Sequence, residues 1–120
     1  MSQTAVKGQI LVIAPSADMR NSLRFALEAD GYHVTLRETA SGGLPPRPSY
    51  ECIVLDHHAA DADPEAARRL AIVFRPVILL ANSSGHSLSS LMFRTVLKPT
   101  LGPALANAVR EAVSSRSNPT

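Results

Sequence analysis

The run Tyr50-Glu-Cys-Ile-Val-Leu-Asp56 is short, apolar and β-branched, and it ends in a carboxylate. Such a run reads as a strand buried on both faces, the pattern of a parallel sheet. A later run, Phe93-Arg-Thr-Val-Leu-Lys-Pro99, ends in Lys98-Pro99. Parallel strands deliver their C-terminal ends to one edge of the sheet, and ligands bind outside that edge. The two runs together therefore place an acid and an ammonium where chemistry is done.

Reading outward from that pair, Gln9-Ile-Leu-Val-Ile13 is a first buried strand. Ser16 can cap a helix with Asp18 in its first turn, Met19, Leu23, Ala26 and Leu27 on its apolar stripe and Gly31 as its stop. Tyr32 to Leu36 reads as the second strand. Thr39 to Ser49 carries Gly42-Gly43, Pro45-Pro46 and Pro48, which disfavour a long helix. Glu51 to Leu55 is the third strand. Asp63 caps a helix with Pro64 at its first position, and Ala67, Leu70, Ala71 and Phe74 mark the buried stripe. Pro76 to Leu80 and Arg94 to Leu97 are strands four and five, with one or two helical turns over Ser87 to Met92. Leu101, Leu105, Ala108, Val109 and Ala112 mark a final helix. Alternating strands and helices predict an α/β, flavodoxin-like, doubly wound five-stranded parallel sheet of order 2-1-3-4-5 with shortened middle helices. Residues 1–8 are expected to be an extension, 9–113 the domain and 114–120 a flexible tail.

The 120 residues fit one domain, and 45% hydrophobic content supports a real core, which must be aliphatic because aromatics are 4% and Trp is absent. No apolar run approaches the ~18 residues of a membrane span, and the N-terminus lacks the pattern of a signal peptide. The single cysteine, Cys52, lies in an apolar run, so a buried, reduced thiol and a cytoplasmic location are expected. Net charge is +2, from 12 basic residues against 10 acidic ones, and the ten Arg and two Lys are scattered along the chain with one adjacent pair, Arg68-Arg69. Without a basic stripe or stacking aromatics, no nucleic-acid interface is expected.

In the order Ile10-Leu-Val-Ile13, Arg20 with Leu23, Gly31-Tyr32, Ile53-Val-Leu-Asp56, Pro76-Val-Ile-Leu-Leu80 and Leu97-Lys-Pro99, the chain resembles a response-regulator receiver domain from Gln9 to Val113. The resemblance implies that Asp56 is the phosphoacceptor, taking a phosphoryl group from a sensor histidine kinase, and that Lys98 pairs with the phosphate. It also implies Mg²⁺, held in the family by an acidic pair after strand one, the acceptor Asp, and a carbonyl two residues later. Here the acidic-pair positions are Ala14 and Pro15, which leaves Asp56 and the His58 carbonyl. Mg²⁺ is therefore expected to bind weakly, with Asp18 or Asp61 as candidate rescuers. The family's hydroxyl after strand four falls on Ala81, with Asn82 and Ser83 the candidates to contact phosphate in its place. Its strand-five aromatic falls on Thr95. The usual switch relay lacks both members.

Other residues carry competing readings. Asp56 can also cap a loop or the next helix. His57, His58, Asp61 and Asp63 are ligand types for a transition metal, but adjacent histidines on a loop diverge and Asp63 serves as a cap. Ser83-Ser84 and His86 have no visible orienting partner, and Ala14-Pro-Ser-Ala17 has no glycine to cradle a phosphate. No enzymatic activity is expected. The expected role is a single-domain response regulator that signals through protein contacts, with a phosphorylation-independent pseudo-receiver as the alternative. A homodimer or partner contact is expected through the face formed by the fourth helix, fifth strand and last helix, with apolar surface around Leu91, Met92 and Phe93, although Phe93 reads equally well as core.

Overall fold

The computed structural model describes residues 8–41, 50–73, 76–83, 85–98 and 103–117. Its strands are β1 Gln9–Ile13, β2 His33–Arg37, β3 Cys52–Asp56, β4 Val77–Ala81 and β5 Arg94–Leu97. Its helices are α1 Ala17–Ala29, α2 His57–Ala62, α3 Pro64–Val73 and α4 Pro103–Ser117, with a 3₁₀ turn at Ser89–Leu91. All strand pairings are parallel, in the order β2-β1-β3-β4-β5. This is the flavodoxin-like doubly wound sheet that the alternation of apolar runs predicts.

The period of two along each strand separates two cores. Ile10, Val12, Cys52, Val54, Ile78, Leu80 and Val96 pack with Leu23 and Leu27 of α1 and Leu105, Ala108, Val109 and Ala112 of α4. Leu11, Ile13, Ile53, Leu55, Val77 and Leu79 pack with Ala59 and Ala60 of α2 and Ala67, Leu70 and Ala71 of α3. The three central strands are buried on both sides, so they read as continuous apolar runs. Caps set the helix starts. The Ser16 hydroxyl accepts the Met19 N–H (3.2 Å), and the Asp63 carboxylate accepts the Ala66 N–H (3.2 Å). Gly31, at φ 100°, adopts the left-handed conformation that stops α1.

Several expectations are corrected. Strands two, three and four each begin and end one residue later than expected. The loop expected around His57 and His58 is helix α2, and Asp56 is its N-cap, as the alternative reading of that residue expected. Ala26 is exposed, since the buried stripe of α1 is the narrow row of Leu23 and Leu27. Helix α4 continues to Ser117, into the stretch expected to be tail. Among the described residues no helix lies between β2 and β3, and only the 3₁₀ turn follows β4, in line with the shortened middle helices. The readings of residues 1–7, Gly42 to Ser49, Phe74, Ser84, Pro99, Leu101 and 118–120 lie outside the described residues.

Candidate functional site

The strand registers assemble the site. Ile13 pairs with Leu55, so Ala14 lies beside Asp56 at the strand ends. Asp56 pairs with Leu80, and Ala81 pairs with Leu97, so Lys98 follows at the same edge. Asp56 shares strand parity with Cys52 and Val54, and Lys98 with Val96, so both side chains leave the sheet toward the α1/α4 face.

Asp56 is 1% exposed. Its Oδ2 accepts the His58 N–H at 3.0 Å, which caps α2. Its Oδ1 lies 2.5 Å from Lys98 Nζ, outside hydrogen-bond alignment, and accepts no hydrogen bond. The contact is an ion pair whose carboxylate is buried and whose ammonium keeps 19% of its side chain in solvent. Lys98 is anchored by its own N–H, which donates to the Ala81 carbonyl at 2.9 Å. One carboxylate oxygen is thus pinned by the backbone, and the other faces a cation alone.

No protein-family model and no curated protein matches the sequence. Solved structures do. A response regulator receiver domain protein from Clostridium thermocellum is 20% identical, at a TM-score of 0.77 over 91% of this chain and 96% of that one. TrrA from Thermotoga maritima, solved in complex with Mg²⁺-BeF, is 21% identical at a TM-score of 0.72, over 87% of this chain and 97% of that one. Full-length FixJ from B. japonicum is 25% identical at a TM-score of 0.61, over 90% of this chain and 60% of that one. This chain has the receiver fold.

Measured against a receiver site, the cation-binding half departs. Ala14 is buried and offers a methyl group, and Pro15 is exposed. Their carbonyl oxygens are taken by Arg20, whose Nη1 donates to Ala14 O at 2.8 Å and to Pro15 O at 3.0 Å. Arg20 Nη2 also lies 3.8 Å from Glu38 Oε2. A hard divalent cation needs several oxygen ligands, and here a guanidinium occupies two of the oxygens at the end of β1. The described residues do not fit a receiver-type Mg²⁺ site, and Asp56 is the one carboxylate among them placed there. Asp18 is exposed on α1, and Asp61 is bonded elsewhere, so neither stands in for the acidic pair. Among the described residues, no group of three or more His, Cys, Asp or Glu side chains suits a metal ion.

The switch half departs as well. Ala81 is buried as a methyl, and Asn82 and Ser83 are exposed in the loop after β4. The Thr95 hydroxyl donates to Ser89 Oγ at 3.2 Å, bonding β5 to the 3₁₀ turn. Of the apolar residues expected at the surface, Leu91 is exposed, Met92 belongs to the core and Phe93 is half-buried with Arg94 stacked on its ring. Leu97, at 49% exposure, was not expected at the surface, and neither were Phe25 and Ile72, which are more exposed still, or Val73.

Sequence reasoning also missed the partner of His86. Its Nε2 lies 2.7 Å from Asp61 Oδ1, and its Nδ1 accepts the Leu88 N–H at 3.1 Å. A ring nitrogen that accepts from a backbone N–H carries no proton, so the ring hydrogen sits on Nε2 and is donated to Asp61. That bond is the main cause holding the Asp61 carboxyl below its usual range. His57, one turn before Asp61 on α2, is buried with its Nδ1 3.6 Å from Asp61 Oδ2 and its Nε2 unbonded. The available signal was the i,i+4 spacing of His57 and Asp61, which has meaning only once α2 is recognised as a helix.

Proposed function

We propose that this protein is a receiver module of two-component signalling, in which Asp56 accepts a phosphoryl group from the phosphohistidine of a sensor kinase. The observation that carries the proposal is the asymmetry of Asp56: Oδ2 is held by the His58 N–H, while Oδ1 meets only the Lys98 ammonium. In the transfer, Oδ1 forms the bond to phosphorus as the bond from phosphorus to the histidine nitrogen breaks, and the electron pair leaves with the imidazole. Two like unit charges at ~4 Å repel by about 4 kcal/mol at an effective dielectric near 20. Lys98 supplies one positive charge against that repulsion, and among the described residues no further carboxylate is placed to recruit a divalent ion. Transfer is therefore slow compared with a receiver carrying the acidic pair.

Output passes through protein contacts inside the cell, to a downstream partner or a second copy. The surface beside β5, with exposed Leu91 and Leu97, is the proposed contact face. The second reading, a phosphorylation-independent interaction module, is favoured by Arg20 on the Ala14 and Pro15 carbonyls and by the methyl at Ala81. Label transfer from autophosphorylated sensor kinases, with and without Mg²⁺, separates the two. The first reading expects slow labelling that Asp56→Asn abolishes. Labelling that survives Asp56→Asn refutes the acceptor assignment. No labelling from any kinase that nonetheless binds the protein supports the second reading.

A further inference from the structure

The positions that would connect a receiver's acceptor to its output face are a methyl, Ala81, and a β-branched hydroxyl, Thr95. A different set of bonds spans the same gap. Helix α2 begins on Asp56, whose Oδ2 caps it through the His58 N–H at 3.0 Å. Asp61 lies five residues along from Asp56, about 7.5 Å at the rise of an α-helix. Its Oδ1 receives the His86 Nε2–H at 2.7 Å, and His86 Nδ1 accepts the Leu88 N–H at 3.1 Å, at the entry to the 3₁₀ turn. The next residue, Ser89, accepts the Thr95 hydroxyl at 3.2 Å. The path therefore leaves the acceptor on one helix and arrives on β5.

We propose that the Asp61–His86 hydrogen bond replaces the missing relay, coupling the state of Asp56 to the 3₁₀ turn and to Thr95. The proposal rests on the reading of Asp56 as the residue whose state changes. Three physical features support it. The cap and the Asp61 side chain stand near opposite ends of one six-residue helix, so a shift of its capped end is carried along a single hydrogen-bonded element. The His86 ring is held from both sides, by a backbone donor at Nδ1 and a carboxylate at Nε2, so it cannot turn without losing one bond. The Asp61–His86 contact is a charge-assisted bond to a carboxylate, the stronger class of hydrogen bond. Coupling of this kind travels through contiguous bonded groups and is established only by a coupling measurement.

The test uses the full chain and needs no phosphate. Asp56→Asn removes the charge that faces Lys98 while retaining an oxygen able to cap α2. Backbone amide shifts of Leu88, Ser89 and Thr95 are compared before and after that substitution, first with Asp61 and then with Asp61→Ala. The expected result is that Asp56→Asn moves these amides in the first background, and that the displacement falls by at least about threefold in the second. Asp61→Asn keeps an acceptor for His86 Nε2–H and should preserve the coupling, which a merely disordered loop would not. His86→Ala should abolish it, with Leu23 and Leu27 amides as a check that the fold is intact. Equal displacements with Asp61 and Asp61→Ala, or none in either, overturn the proposal. Label transfer to Asp56 is measured separately, so the acceptor reading and the relay can fail independently.

Discussion

Replacing Lys98 with methionine tests the energetic meaning of the site. The substitution retains the length of the side chain and removes the ammonium 2.5 Å from Asp56 Oδ1. The carboxylate left behind is 1% exposed and keeps one hydrogen bond, from the His58 N–H to Oδ2. Removing one partner of a buried ion pair costs roughly 3–5 kcal/mol, because the remaining charge is left uncompensated. Lys98 keeps 19% of its side chain in solvent, so water screens part of the interaction. The expected loss is thus at the lower end, about 3 kcal/mol. Against a typical domain stability of roughly 5–15 kcal/mol this is a large fraction. It corresponds to a fall in Tm of about 10 °C for a chain of this size. Urea denaturation followed by far-UV circular dichroism measures it directly, since the chain has no Trp to report by fluorescence. The double variant Asp56→Asn with Lys98→Met removes both charges and should recover to within about 1 kcal/mol of the parent. If Lys98→Met costs less than about 1 kcal/mol, or if the two substitutions simply add, the pair is not a coupled buried ion pair and the reasoning fails.

Two further outcomes are expected. Isothermal titration should find Mg²⁺ affinity well below that of a receiver with the acidic pair, and Ala14→Asp with Pro15→Asp should raise it; tight binding by the unsubstituted protein would contradict the donor set described above. Burial pushes the Cys52 thiol up to about 12, so it stays protonated at pH 8 and should resist a thiol reagent until denaturant is added, whereas rapid labelling of the native protein would show that β3 is accessible.

Much of this architecture is legible in one dimension because it depends on periodicity. The central strands are apolar on both faces, so Gln9–Ile13, Cys52–Asp56 and Val77–Ala81 appear as continuous runs whatever surrounds them. Ser16, Gly31, Asp63 and Pro64 mark helix ends by local backbone chemistry, and their roles are visible without knowing the fold. Asp56 and Lys98 are legible for the same reason: one ends β3, the other directly follows β5, and parallel strands end at one edge. The departures at Ala14, Pro15, Ala81 and Thr95 are also written in the chain, since the side chains of the first three carry no oxygen and that of Thr95 carries no aromatic ring.

What the sequence could not decide were the contacts between segments distant along the chain. His86 and Asp61 are 25 residues apart, and nothing in either neighbourhood specifies that they bond. Arg20 reads as a helix residue until the turn after β1 brings the Ala14 and Pro15 carbonyls within its reach. Met92 lies just before β5 and Leu97 ends it, both are apolar, yet one is core and the other surface. Helix α2 was hidden because its first residues are histidines of modest helix preference, and its stability comes from the Asp56 cap and from Ala59 and Ala60 against the sheet. Local propensity and period determine which elements form and in what order. Which side chains meet depends on packing between those elements, and only the tertiary structure decides that.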